Sequence, residues 1–377
     1  MSNKVLVLTP DLKVPGGVSN YYEALGLHSV NGIKYFFVSN DRKESFGHFV
    51  WRLIKNYFFY AKTLFKSELN LVHINPSLNF NSFIRDALFL IIAHGFNKKT
   101  LVFFHGWSDE FENKIKKNLI YRWIFSKSFK KCKHIVVLSN LFKEKLIALG
   151  CNPNRTHFWV ESTVADTSFL DGFSINEKLA DYKKSDKIKI LFLSRIEEEK
   201  GVYIALEAFE KLQTELSHKK LELIIAGDGN ALADAKKMTK LRNIQNVTFT
   251  GYIKENKKKK VLHEAHLFLF PTYYGEGMPT NILEAMLYGM PIISRYNAGI
   301  ADAVSHGENG FLTDSKDAND FAEMMKFILS DDSLYNRIVR VNHQKALKNY
   351  SSEVVRERIL NIYKLVSYGE HAREKAI

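Results

Sequence analysis

Cysteine is nearly missing from this chain: two residues, Cys132 and Cys151, stand among 377. They cannot build a disulfide framework, and such sparse use fits a reducing compartment. Long apolar runs are missing too. The longest, "ALFLIIA" (Ala87–Ala93) and "LVFF" (Leu101–Phe104), fall far short of the roughly 18 residues that read as a membrane span, and they suit a buried helix and a buried strand. The opening "MSNKVLVLTPDLK" has too short an apolar run and no small-residue cleavage site for a signal peptide. The expected location is cytoplasmic, either soluble or peripheral at the inner face of the cytoplasmic membrane. There is no repeat of about 20–50 residues, no low-complexity tract, no P-loop or full G-x-G-x-x-G spacing, no D-x-D triplet and no RNA- or DNA-module signature. Nucleic acid is therefore not an expected partner, and neither a cofactor nor a bridging metal is expected.

What is present suffices for packed cores. Hydrophobic residues make up 46% of the chain and aromatics 13%, and the length suits about two domains. The net charge of +13 is uneven: residues 1–175 carry 23 Lys/Arg against 13 Asp/Glu, and residues 176–377 carry 31 against 28. A basic first half suggests that it faces something anionic.

Both halves alternate short apolar strands with helical patterns. "KVLVLT", "IKYFFVS", "LNLVHIN", "TLVFFHG" and "HIVVLS" are strands of the first half; "KIKILFLS", "LELIIAG", "VTFTG", "LFLFP" and "PIIS" are those of the second. Continuous apolar strands between helices imply parallel sheets covered on both faces. The expected architecture is α/β, with two doubly wound Rossmann-like domains. Residues 1–175 form the first, completed by about 352–377, and residues 186–350 form the second. The polar "DGFSINEKLADYKKSDK" (171–187) reads as the connector. Ligands of open α/β sheets bind beyond the carboxyl ends of the strands, so the site is expected in loops that follow strands, where the two domains face each other.

Those loops carry chemistry. "SRIEEEKG" follows "KILFLS" and places Arg195 and Lys200 at a strand's end, where a guanidinium fork and an ammonium suit a diphosphate; pairing with Glu197 to Glu199 is the plainer alternative. Gly16 and Gly17, between strand and helix, let backbone N–H groups approach a phosphate. "AGDG" (Ala226–Gly229) reads as turn chemistry. In "PTYYGEGMPTNILEAMLYGMP" (Pro271–Pro291), Glu276 stands between Gly275 and Gly277 on a loop able to approach a ligand. The helix begins near Thr280 and ends at Gly289. Its amino end, from Gly277 and Met278 through Pro279, Thr280 and Asn281, offers backbone to an anion, and Glu284, one turn in, can accept the hydroxyls of a ribose. An ordinary exposed helical glutamate is the plainer reading of Glu284 alone.

Together these residues resemble the family 4 retaining glycosyltransferases, glycosyl transferases group 1 of the GT-B fold. The family's E-x7-E element matches "EGMPTNILEAMLYGMPII", its "SRxxxxKG" stands unbroken, and its glycine-rich element corresponds to "NAGIADAVSHGENGFL". "YSSEVVRERILNIY" resembles the family's last helix, which crosses back to the first domain. The resemblance implies transfer of a sugar, with retained anomeric configuration and no metal, from a UDP- or GDP-type nucleotide-sugar to a glycan or lipid-linked sugar acceptor. Surface polysaccharide or glycolipid assembly is the implied setting. It gives Arg195 and Lys200 the donor diphosphate, Glu284 the ribose, Glu276 the transferred sugar, and Gly16 and Gly17 a place over the phosphates. It puts His105 at the acceptor side and Tyr252 and Ile253 beside the base. One departure is "VESTVADTSF", where Ser162-Thr163 replaces the family's frequent Asn-Gly turn. The same fold also hosts phosphorylases, sugar-nucleotide epimerases and catalytically silent binders, which remain alternatives.

The first half also carries "WRLIKNYFFYAKTLFKSE" (Trp51–Glu68) and "KIKKNLIYRWIFSKSFKKCKH" (Lys114–His134), where aromatic and basic residues interleave at helical spacing. Such helices can lie on an anionic bilayer, or else form core helices with a solvated basic face.

Overall fold

The structure is a computed structural model and describes residues 4–14, 16–38, 46–66 and 68–369. The final eight residues, read above as part of the first domain, lie outside the described residues, as do Met1, Ser2, Asn3, Ser39 and Ser67 within the stretches quoted above. The chain divides into two compact units: Met1–Val164 with Ser352–Ile377, and Ala165–Ser351.

The first unit is built on a six-stranded parallel sheet of β1 (Val5–Thr9), β2 (Ile33–Phe37), β3 (Leu71–Ile74), β5 (Thr100–Phe104), β7 (His134–Val137) and β8 (His157–Val160). A short parallel pair, β4 (Ser77–Leu78) and β6 (Gly106–Trp107), stands apart. The order β2-β1-β3-β5-β7-β8 reverses direction at β1 and β3. In β1, β3 and β5 every residue is buried, as two-sided helix cover requires. The helix Ser352–Tyr368 completes this unit by packing on β3 and on the helix Gly17–Leu25. Its Tyr363 hydroxyl meets His73 Nδ1 at 2.7 Å. Its Arg358 donates to Glu161 Oε2 at 2.9 Å and to Ser162 Oγ at 3.2 Å. The Ser162 that departs from the family's turn thus helps anchor the last helix.

The second unit holds β9 (Lys187–Leu193), β10 (Lys220–Ala226), β11 (Val247–Gly251), β12 (Leu267–Phe270), β13 (Ile292–Arg295) and β14 (Gly310–Thr313). All pairs are parallel, in the order β11-β10-β9-β12-β13-β14. This is the dinucleotide-fold order, with its switch point between β9 and β12, where ligands of such sheets sit.

The connector reading differs from the structure. Residues 165–175 fold with the second unit, and most of the segment 171–187 is a helix, Ile175–Lys184, capped by Ser174. Its polar composition hid a buried side. Tyr182 stacks on Tyr335 at 3.7 Å, and the buried Lys178 donates to the carbonyls of His263 and Ala265 at 3.1 and 2.6 Å. Lys178 thereby satisfies acceptors left open at the carboxyl end of the helix Glu255–Glu264.

Candidate active site

In the second unit, β9 runs out at Leu193, and the chain passes Arg195 into a single turn, Glu198–Lys200, before the helix Val202–Glu215. Lys200 is buried, an unusual place for an ammonium. Its Nζ lies 2.5 Å from Glu276 Oε1 and 4.0 Å from the centre of the Tyr274 ring. The Arg195 guanidinium stands 5.9 Å from the same ring. Its Nη1 pairs with Glu197 Oε1 at 2.5 Å, as the plainer reading expected, but the side chain is 62% exposed and so open to a stronger anion.

Backbone contacts hold this cluster together. The amides of Tyr273 and Tyr274 both donate to the Glu199 carbonyl, at 2.8 and 3.1 Å. Thr272 Oγ1 lies 3.2 Å from that carbonyl and 3.3 Å from Glu276 Oε1. Gly201 takes a positive φ of 84°, and a Cβ there would fall 2.3 Å from the Pro271 carbonyl oxygen. A Cβ on Gly227 would fall 1.8 Å from the Ser194 oxygen. "AGDG" is therefore more than a turn, because it lets the loop after β10 press on the loop after β9.

The helix Thr280–Leu287 starts where expected, and its N-cap, Pro279, supplies no side-chain oxygen to the first N–H groups. Met278 is buried. Asn281 Nδ2 donates to the Leu193 carbonyl at 2.7 Å and so ties the helix start to the end of β9. Glu284 is buried rather than exposed, and its Oε1 lies 2.5 Å from Lys258 Nζ. Burial raises its carboxyl above the ordinary 4.5, while the nearby Lys258 ammonium pulls it down. Beyond β11, Tyr252 is 66% exposed whereas Ile253 is 8% exposed. Tyr252 alone presents a face, with Lys254 Nζ 5.4 Å above it. Among the described residues, no three His, Cys, Asp or Glu side chains form a group able to hold a metal.

Gly16, Gly17 and His105 belong to the first unit. The two glycines are exposed at the start of the helix Gly17–Leu25, and a Cβ on Gly17 would meet nothing within 4 Å. His105, beyond β5, is half-buried against Phe103 with ring centroids 4.0 Å apart. Its Nε2 lies 3.0 Å from Asn75 Oδ1. Asn75 gives its own amide protons to the Leu8 carbonyl at 2.8 Å, and its Oδ1 also accepts from the Tyr22 hydroxyl at 2.7 Å. The network makes Nε2 the protonated nitrogen and leaves Nδ1 as an acceptor. Burial pushes the imidazole down to about 3, so it is neutral at physiological pH.

Residues 174–345 match the family model described as glycosyl transferases group 1. The second unit is a group 1 glycosyltransferase domain. A 2-deoxystreptamine N-acetyl-D-glucosaminyltransferase of Niallia circulans is 33% identical over 180 residues, 47% of this chain and 45% of the relative. An amylovoran biosynthesis glycosyltransferase of Erwinia amylovora is 27% identical over 197 residues, 51% of this chain and 46% of the relative. The chain thus spans about half the length of these curated relatives. The crystal structure of the Anabaena protein HepE in complex with UDP and glucose superposes with a TM-score of 0.71, covering 96% of this chain and 99% of that one at 16% identity. The two doubly wound units are the GT-B fold.

Sequence reasoning missed three members of this setting. Lys258 hid within the run Lys257–Lys260, yet lysines in the first turn of a helix oppose its dipole, and that anomaly was the available signal. Tyr274, between the two cations of the group 1 domain, lay inside the quoted motif with nothing to separate it from Tyr273. Asn75, in the first unit, closes "LNLVHIN" at the carboxyl end of β3, a position that could have marked it.

Proposed function

We propose that the protein transfers a sugar from a nucleoside diphosphate sugar, of UDP or GDP type, to a glycan or lipid-linked sugar acceptor in the assembly of a surface polysaccharide or glycolipid. The observation that carries this reading is the buried Lys200, placed with Arg195 around Tyr274 at the switch point of a group 1 domain. Breaking the anomeric bond puts negative charge on the departing diphosphate. Fixed cations and the amino end of the helix Thr280–Leu287 stabilise that charge without reorganising, so no metal is needed in this scheme. Glu276, now on Lys200, lies at the transferred sugar. Glu284, oriented by Lys258, takes the ribose hydroxyls, and Tyr252 lies along the base. Gly16 and Gly17 bring backbone to the phosphates. His105, neutral and held by Asn75, offers Nδ1 as an acceptor to an incoming hydroxyl. Configuration is retained by same-face attack steered by the leaving phosphate.

Thermal-shift screening across UDP-, GDP- and ADP-sugars, followed by mass analysis of products with candidate acceptors, tests the reading. One sugar donor should stabilise by about 2.7 kcal/mol at a hundredfold excess over Kd. No stabilisation by any of them, or donor turnover without an acceptor, counts against it.

A peripheral membrane location is part of the proposal. No helix among the described residues is long and apolar enough to cross a membrane. The helix Phe46–Lys66 exposes Trp51, Ile54, Phe58 and Phe65 at 66, 56, 66 and 78%, beside Lys55, Lys62 and Lys66. Leu119, Ile120 and Trp123 are likewise exposed. This pattern supports adsorption, aromatic groups down, onto an anionic bilayer. Vesicles carrying anionic lipid should co-sediment more protein than neutral ones, and equal recovery removes the electrostatic component.

A further inference from the structure

The sheet of the first unit has a second opening, at the end away from His105. The amino ends of β5, β7 and β8, with the end of the helix Ser352–Tyr368, line a half-open cavity of about 600 Å³. Four lysines line it, Lys98, Lys99, Lys131 and Lys133, and no carboxylate does among the described residues. Lys99 Nζ donates to the Ser367 carbonyl at 2.7 Å. Lys131 and Lys133 have no ion pair with a described carboxylate. One wall is aromatic: His134 and His157 flank Trp159, with ring centroids 5.8 and 4.1 Å from the indole. His134 Nδ1 is buried and has no partner among the described residues. Burial first, then the neighbouring His157, Lys99 and Lys133, push that imidazole down to about 4. Among the described residues, the ammonium groups of Lys131 and Lys133 are therefore not balanced by a carboxylate in the cavity walls.

Scattered surface lysines carry little meaning; here four converge on the rim and walls of one half-open cavity. The space is of small-molecule size and lies at the strand ends where sheets of this kind do not bind their usual ligands. We propose that this cavity binds a multiply phosphorylated anion, of diphosphate or triphosphate type, at a site separate from the one around Lys200. Lysines of this kind bind phosphate as mobile point charges, and Trp159 adds a flat apolar face for whatever the phosphates are attached to. The same chemistry is offered by a soluble phosphate ester and by a phosphorylated lipid headgroup. The inference does not rest on sugar transfer.

The test titrates inorganic triphosphate into the full chain at constant ionic strength, read by calorimetry and tryptophan fluorescence. An Arg195→Ala background weakens the proposed donor site, and the lysine variant below is compared within that background. Saturable binding should persist there and weaken at least about tenfold in Lys131→Gln/Lys133→Gln, whose urea midpoint stays at the wild-type value. Trp159→Phe should abolish the fluorescence change while calorimetric binding remains. Equal affinity in the lysine variant, or a response no larger than that to chloride at the same ionic strength, overturns the site. Vesicles of phosphatidylcholine with and without phosphatidic acid separate the two sources. Phosphatidic-acid-dependent recovery that is lost in the lysine variant assigns a headgroup; unchanged recovery with lost triphosphate binding assigns a soluble ligand.

Discussion

Arg195 and Lys200 sit in different surroundings, and their substitutions are expected to differ accordingly. Arg195 is exposed and held by one carboxylate, so the fold does not depend on it. Arg195→Ala should leave the urea midpoint unchanged and lower kcat/KM for transfer by the equivalent of about 2–4 kcal/mol, the scale of one preorganised donor to a developing anion. Unaltered turnover would remove Arg195 from the diphosphate. The pair of Glu284 and Lys258 makes a stability prediction of definite sign. Burial raises the folded pKa of Glu284 above 4.5. Below that value the carboxyl is protonated in both states. As pH rises from 4.5 toward the folded pKa, the unfolded chain ionises first and stability is lost. Lys258→Met removes the opposing attraction, so its stability should fall more steeply than the wild type's over that window, ending on the order of 2–3 kcal/mol lower. Adding Glu284→Gln should flatten the slope. Urea unfolding at pH 4.5, 6 and 7.5 reads both effects.

At the scale of elements, the site depends on loops that touch through bare backbone. Gly201→Ala carries about 1–2 kcal/mol of left-handed strain, and its Cβ must also push the Pro271 carbonyl away from 2.3 Å. That push separates the loops bearing Lys200 and Glu276. The variant should lose more stability than the strain alone and lose donor-induced thermal stabilisation with it. Gly17→Ala, with open space around it, should unfold within about 0.5 kcal/mol of wild type. The strands these loops follow were legible because buried parallel strands are continuous apolar runs, as "KVLVLT" and "KIKILFLS" show. The edge strands β8 and β14 were not read as strands. In "HFWV" both ends are exposed, and "GFLT" alternates buried with half-buried positions, so neither presents such a run. The helix Ile175–Lys184 was masked by its lysines, one of which is buried on carbonyl oxygens. Of the site, Arg195, Lys200, Glu276 and Glu284 could be read from motif spacing. Lys258 and Asn75 left only weak signals, a lysine at a helix start and a place at a strand end, because their importance lies in a partner distant in sequence.

Both units, taken whole, bury imidazoles. Burial is the first cause in each case: it holds His105 and His266 down to about 3 and His134 to about 4, and it also lowers His73. A histidine with a depressed folded pKa stays neutral while the unfolded chain takes up a proton below 6.5. The stability it contributes is therefore complete above 6.5 and lost as pH falls toward 4 and 3. The urea midpoint should drop steadily from pH 6.5 to pH 4. His266→Asn, which keeps an acceptor for the Lys189 amide that now bonds Nδ1 at 2.9 Å, should make that drop shallower. An unchanged slope would mean that carboxylates alone set the acid limit.

The salt link between Lys200 and Glu276 means that an arriving anion must trade places rather than fill a vacancy. A singly charged visitor such as acetate offers the ammonium no more than the resident carboxylate already does. In the proposed function, a ligand with several charged oxygens would repay the swap, and its arrival would release Glu276 toward whatever that ligand carries. Selection for a doubly phosphorylated molecule and delivery of the glutamate to its cargo would then be one event.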